Sequence, residues 1–124
     1  MNHFLIYQKK ANTDTSSELE PMAYTDKHLE IVPGDRIWVV VGKATPDKVA
    51  STSFELAKTF VVSPPQMQQP ANEYRGTDLK LLSKELNGLQ WFEEFKANVL
   101  GPAHYSPQRL SDPVKKELCS LAGI

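Results

Sequence analysis

Three segments in the first half of the chain have the hydrophobic and polar pattern of β-strands. They run from His3 to Lys9, from Arg36 to Val41 and from Phe54 to Val62. Residues Ile37–Val41 are all β-branched or aromatic, and such residues favour extended backbone. We therefore predict three strands, and we expect the second and third to pair antiparallel.

Alternation along these strands also predicts which side chains share a face. In the second strand one face is expected to carry Ile37, Val39 and Val41, and the other Arg36, Trp38 and Val40. In the third strand, an apolar face interrupted by Lys58 is expected to carry Phe54, Leu56, Phe60 and Val62. Its opposite face is expected to carry Ala57, Thr59 and Val61.

The second half of the chain carries helical patterns. Leucines recur at helical spacing over Leu79–Asn87, where Thr77 or Asp78 can cap the start and Gly88 can end the last turn. A final helix is predicted over Pro113–Leu121, since proline is favoured at the first helical position. We expect Asp112 to cap this helix. Between the two, the aromatic segment Gln90–Phe95 is typical of a short helix or of the start of a strand, and its rings are expected in the core.

Two polar stretches connect these elements. Residues Ala11–Thr25 form a loop that is long for a small domain, which makes it a candidate binding or lid element. Ser63–Pro70 contains several prolines and glutamines and is expected to be an extended crossover. With 124 residues, the chain is long enough for one domain with a single core, spanning residues 1–124.

Composition narrows the class of protein. The longest apolar run is too short for a membrane span, and the first residues lack the basic segment of a signal peptide. The single cysteine, Cys119, fits a reducing cytoplasm and is expected to be a buried apolar residue of the last helix. The histidines His3, His28 and His104 have no ligand spacing, so we expect no metal and no cofactor. We also expect no enzyme, because the chain has no phosphate loop, nucleophile elbow or nuclease motif.

A Pro33-Gly34-Asp35 turn opens the second strand, and this turn carries a family resemblance. Strand, polar loop, Gly-Asp turn and long strand follow each other as in PUA-like domains, the superfamily of EVE and ASCH modules. The resemblance covers residues 3–62 in pattern, and Gly34 and Asp35 match in residue type. It implies an α+β fold, a small PUA-like mixed β-barrel with two or three peripheral helices. It also implies binding of DNA or RNA, with recognition of a modified or flipped base.

Four residues are candidates for nucleic-acid binding under this resemblance. Trp38 is expected to stack on a base, Arg36 and Lys43 to meet phosphates, and Asn12 to hydrogen-bond the base while its loop closes over the ligand. Each has an alternative role from its own chemistry. Tryptophans are mostly buried, so Trp38 also fits the core, and Arg36 also fits a solvated edge.

Other polar residues near this turn have two roles open as well. Lys43, Lys48 and Lys58 either form a basic strip with Arg36 or protect strand edges. Asp35 either meets a base or caps its own backbone. The net charge of −1 lacks the basic surplus typical of proteins that bind nucleic acid through many phosphates. The alternative function is therefore a protein-interaction or regulatory module on the same barrel.

Overall fold

The computed structural model describes residues 2–9, 20–24, 31–44, 52–65, 67, 73–86, 88–95 and 108–124. Within these ranges the strands are β1 (His3–Lys9), β2 (Met22–Tyr24), β3 (Arg36–Ala44), β4 (Thr52–Val62), β5 (Glu73–Glu85) and β6 (Gln108–Arg109). The helices are α1 (Gln90–Phe95) and α2 (Asp112–Ala122). The strands form one mixed sheet in the order β2-β5-β4-β3-β1-β6, which curls into a half-barrel accompanied by the two helices.

The centre of the sheet is formed by the three strands that the apolar pattern predicts. β3 and β4 pair antiparallel, as expected, with Trp38 opposite Thr59. β1 lies on the other side of β3 and runs parallel to it, with His3 opposite Arg36 and Leu5 opposite Trp38. Parallel neighbours need a long crossover connection, and the chain between Lys9 and Arg36 provides it. This pairing brings His3 next to the start of β3.

Two apolar cores cover the two faces of the sheet. The helix-side core contains Leu5, Trp38, Val40, Leu56, Leu86, Phe92, Leu110, Leu118 and Ala122. The far-side core contains Ile6, Ala23, Ile37, Val39, Val41, Phe60 and Val62. Alternate residues of β3 therefore enter opposite cores, which confirms the two faces predicted for this strand.

The faces predicted for β4 are wrong, because the strand contains a β-bulge. Val40 pairs with Leu56 and Val39 pairs with Lys58, so Ala57 is an extra residue with no partner of its own in β3. One extra residue exchanges the two faces from that point onward. Phe54 and Leu56 consequently pack on the helix-side core, whereas Phe60 and Val62 belong to the far-side core.

The helix predicted over Leu79–Asn87 is also wrong, since Glu73–Glu85 is a strand paired with β4. Its leucines do not form one stripe: Leu79 packs on the far-side core, while Leu82 packs on the helix-side core. A separation of three residues places these two leucines on opposite faces of a strand, because successive side chains alternate. Hydrogen bonds to a distant strand therefore override the local helical pattern.

The two helices close the helix-side core. In α1, Phe92 is fully buried and Trp91 packs beside it, which confirms their core assignment; the side chain of Phe95 lies outside the described residues. In α2, Leu118 is fully buried and Cys119 is half-buried against the same core. Within the described residues, neither helix is long and apolar enough to cross a membrane.

The ends of α2 differ in part from the prediction. Ser111, not Asp112, is the N-cap residue, and Asp112 instead forms an ion pair with Lys115 at 2.8 Å. At the other end Gly123 adopts the left-handed conformation with φ of 73°, which ends the helix. The Lys80 ammonium donates to the Ala122 carbonyl at 2.8 Å, so a cation from β5 stabilises the negative end of the helix dipole.

Candidate nucleic-acid interface

The Gly34-Asp35 turn joins three strands at one end of the sheet. Gly34 has φ of 96°, a left-handed value that a glycine adopts without strain. The Asp35 side chain is buried, and its two oxygens accept hydrogen bonds from the backbone N–H groups of Asn2 at 3.0 Å and Val32 at 3.1 Å. The backbone-capping role predicted for Asp35 is thereby confirmed.

Backbone hydrogen bonds hold the same turn against its neighbours. The N–H of Gly34 donates to the Val62 carbonyl, and the N–H of Val62 donates to the Asp35 carbonyl, both at 2.8 Å. The N–H of Arg36 donates to the Asn2 carbonyl at 3.0 Å. Hydrogen bonds to β4 on one side and to the residue before β1 on the other therefore fix the backbone at the start of β3. This backbone sets the position of the Arg36 Cα, from which its side chain extends.

Trp38 lies in the helix-side core with 0% of its surface exposed. Its indole N–H donates to Nδ1 of His3 at 3.0 Å, and the two rings stack with centroids 6.1 Å apart and planes at 27°. A ring without exposed surface offers no face to a base. The core role that the sequence left open for Trp38 therefore fits the structure, and the exposed stacking role does not.

Arg36 lies above this buried ring and is half-buried. Its guanidinium carbon is 5.9 Å from the centroid of the Trp38 ring, within the range of a cation–π contact. Its Nη1 donates to the Thr59 hydroxyl at 3.2 Å, and that hydroxyl donates to the Ile37 carbonyl at 2.8 Å. Among the described residues, no carboxylate lies within ion-pair distance of Arg36. Its charge is oriented by a ring and a hydroxyl, neither of which neutralises it.

Further cations surround this position. Burial lowers the pKa of His3, and the positive charges of Lys115, Arg36 and the amino terminus lower it further, with Asp35 opposing them. Arg109 of β6 pairs with Phe4, so its side chain starts on the opposite face of the sheet from His3 and Arg36, where its Nη2 donates to the Asn2 side-chain oxygen at 2.9 Å. We call the surface formed by His3, Arg36 and Lys115 the Arg36 rim.

The other candidates do not join Arg36 in the described residues. Asn12 lies outside them. Of the predicted Ala11–Thr25 loop, residues 20–24 are described, and there the prediction is wrong in part, because Met22–Tyr24 form β2 paired with β5. Lys43 lies near the far end of β3, and at about 3.3 Å per residue it is roughly 23 Å from Arg36 along the strand.

A basic strip that includes Lys58 is also not formed. This side chain is 2% exposed, and its ammonium donates to the Glu20 carbonyl at 3.0 Å. Lys58 is therefore part of the interior of the protein. Lys48, the remaining candidate for the strip, lies outside the described residues.

Sequence reasoning missed three residues of this site, namely His3, Thr59 and Lys115. They come from β1, β4 and α2. His3 contacts Trp38, Thr59 contacts Arg36, and Lys115 acts electrostatically on His3, all through the sheet pairing and the docking of the last helix. A parallel pairing of β1 with β3, had it been predicted, would have placed His3 beside Arg36. No local pattern marks Thr59 or Lys115.

Comparison with protein-family models, curated proteins and solved structures gives no match for this chain. Within the described residues, no three side chains of His, Cys, Asp or Glu lie together in a way that would hold a metal ion. The chemistry of the Arg36 rim is therefore the guide to function.

Proposed function

We propose that this protein is a nucleic-acid-binding module with a PUA-like fold, and that Arg36 holds a backbone phosphate. The observation that supports this proposal is the guanidinium oriented by Trp38 and Thr59 with no described carboxylate to neutralise it. Arginine matches phosphate through two parallel N–H donors, and a guanidinium already held in place loses less side-chain entropy on binding.

The Arg36 rim adds one further cation, Lys115 of α2. Lys115 is half-buried and pairs with the exposed Asp112 at 2.8 Å, so a phosphate beside Arg36 would take the place of that carboxylate. Two phosphate contacts would give a slope of log K against log salt of about −2 on duplex DNA, because each contact contributes about −0.9. So shallow a slope is compatible with a protein whose net charge is −1, since a local patch needs no basic surplus over the whole chain.

Recognition of a base falls to residues other than Trp38 in this proposal. Trp38 acts from below, as the ring that holds the Arg36 guanidinium in position. Asn12 and the Ala11–Thr25 loop keep the base-reading role that the resemblance to EVE modules implies. Lys43 would contact a phosphate of the nucleic acid further from Arg36. Whether the ligand is DNA or RNA is decided by comparing the two as probes.

Fluorescence anisotropy of labelled oligonucleotides tests the proposal. Single- and double-stranded DNA and RNA of equal length are titrated with protein at several salt concentrations, and the label is on the oligonucleotide because Trp38 is buried. We expect Arg36→Gln to weaken binding and to reduce the salt slope by about one. Lys84→Gln is the matched control. Lys84 is exposed on β5, so this substitution also removes one positive charge, but at a position away from the Arg36 rim.

Two results would refute the proposal. One is the absence of saturable binding to any of these probes at low salt. The other is equal weakening by Arg36→Gln and Lys84→Gln, which would mean that only total charge matters. Circular dichroism of each variant verifies that the fold is retained.

The protein-interaction alternative has one supporting feature. Leu81 on β5 is a large apolar residue with half of its surface exposed. The aromatic segment does not add to it, because Phe92 is buried and Trp91 packs on the same core. Binding to a protein through such a surface would change little with salt, and this separates the two functions.

A further inference from the structure

The contact between His3 and Trp38 exists for only one protonation state of the histidine. An indole N–H is solely a donor, so Nδ1 of His3 must carry a lone pair to accept it at 3.0 Å. Protonation at Nδ1 turns the acceptor into a second donor and removes this hydrogen bond. The Trp38 N–H would then lie in a core position without its acceptor.

The groups that face His3 favour its neutral form. Lys115 of α2, Arg36 of β3 and the amino terminus bring positive charge to it, and burial opposes the charged ring, so the pKa of His3 is lowered. Asp35, from the turn before β3, acts in the opposite direction with a smaller effect. Arg109 of β6 hydrogen-bonds to Asn2, the residue that precedes His3, but it pairs with Phe4 and so starts on the other face of β1.

His3 also connects the first strand to the C-terminal part of the chain. Its carbonyl accepts the N–H of Leu110 at 2.9 Å, and Leu110 lies in the helix-side core together with Leu118 of α2. A positive charge on His3 would repel Lys115 on the same helix. Loss of the contact to Trp38 would thus weaken the packing of both β6 and α2 on the sheet.

We propose that the His3–Trp38 hydrogen bond is a proton-sensitive latch, which holds β1 and α2 on the core at neutral pH and opens when Nδ1 of His3 takes up a proton. The latch is independent of the proposed nucleic-acid function. His3 is itself part of the Arg36 rim, so the charge of the rim changes with the state of the latch.

The direction of the pH effect follows from the lowered pKa. In the unfolded chain His3 titrates near its ordinary value of about 6.5, and in the folded chain it titrates below that. The stabilisation is fully present above pH 6.5 and is lost as the pH falls through the lower, folded value. The equilibrium constant for unfolding rises about tenfold for each pH unit by which the two values differ.

Nuclear magnetic resonance tests the latch directly. Protein labelled with ¹⁵N is titrated from pH 8 to pH 4.5 while the ring nitrogens of His3 and the indole N–H signal of Trp38 are followed. We expect both residues to change with one common midpoint below pH 6.5. A Trp38 signal that stays unchanged while His3 titrates, or a His3 midpoint at 6.5 or above, would overturn the proposal.

Two sets of variants separate the latch from general acid sensitivity. In Trp38→Phe the neutral ring loses its donor partner, so the midpoint of His3 is expected to move upward; an unchanged midpoint would refute the coupling. Since that variant removes a core ring, His3→Gln provides a second test, because a glutamine oxygen accepts the indole N–H and does not titrate. Its unfolding constant should change less between pH 7.5 and pH 5 than that of the wild type.

The matched control is the double variant His28→Gln with His104→Gln. It removes the other two histidines of the chain and should retain the full pH dependence. If it abolishes the dependence while His3→Gln preserves it, the latch is refuted. All of these measurements are made without nucleic acid, so their outcome leaves the proposed function to its own test.

Discussion

Replacing Asp35 with alanine should destabilise this protein more than any surface substitution. The buried carboxylate of Asp35 accepts backbone hydrogen bonds from Asn2 and Val32, which hold the start of β1 and the turn before β3. Asp35→Ala removes both acceptors at once, and each of the two N–H groups loses a charged partner. The turn would then lose the side chain that ties it to the first strand.

The size of the effect follows from these two bonds. A hydrogen bond to a charged group contributes about 1.5 to 3 kcal/mol, and water can replace part of it because both donors are only partly buried. We expect Asp35→Ala to lower the free energy of unfolding by about 3 to 4 kcal/mol. That is a large share of the roughly 5 to 15 kcal/mol that holds a typical domain together.

Urea unfolding followed by circular dichroism measures this loss. Asp35→Asn keeps one acceptor oxygen but turns its NH₂ group toward the second backbone donor, so it should not restore the wild-type value. Asp112→Ala is the control, since it removes a carboxylate that is exposed and pairs with Lys115 at the surface. Its effect should be far smaller.

A small loss of unfolding free energy in Asp35→Ala would refute this reasoning. If Asp35→Ala costs less than about 1 kcal/mol with an unchanged denaturant slope, the two hydrogen bonds do not hold the turn. The same result would mean that the position of Arg36 depends on backbone pairing alone. An effect of Asp112→Ala as large as that of Asp35→Ala would point to net charge as the cause.

Three further substitutions or additions test the rest of the structure. Gly76→Ala should cost at least about 2 kcal/mol in a thermal melt, because a Cβ there would overlap the Val61 carbonyl of the paired strand. Thr59→Val should weaken oligonucleotide binding by removing the hydroxyl that orients Arg36, whereas Thr59→Ser should retain binding; equal affinities would contradict this role. A bound oligonucleotide should raise the pKa of His3, since phosphate offsets the cations around it, and an unchanged titration would place the ligand elsewhere.

Local patterns in the sequence predicted several parts of the molecule. The β-branched run Ile37–Val41 and its alternation identified the central strand and its two faces. Pro113 and the helical spacing of apolar residues after it identified α2. Asp35 in its turn was assigned a capping role, because a short carboxylate after glycine reaches nearby backbone N–H groups. Each of these features depends on residues close in sequence.

The tertiary structure decided the features that depend on distant partners. Ala57 is a bulge because β3 and β4 pair on both sides of it. The helix predicted over Leu79–Asn87 is replaced by a strand as far as Glu85, because β5 pairs with β4 along most of its length. A pattern of leucines fits a helix and an irregular strand equally well, and only burial against two different cores separates them.

The Arg36 rim shows the same division at the candidate site. The sequence indicated Arg36 and Trp38 as neighbours on one face of a strand, which is a property of local backbone geometry. The burial of Trp38, its hydrogen bond to His3 and the approach of Lys115 arise from a parallel strand pairing and from the docking of the last helix. Such contacts join residues that are far apart in the chain. These contacts are stabilised by burial and hydrogen bonding between different elements. The spacing of residues within one segment therefore does not predict them.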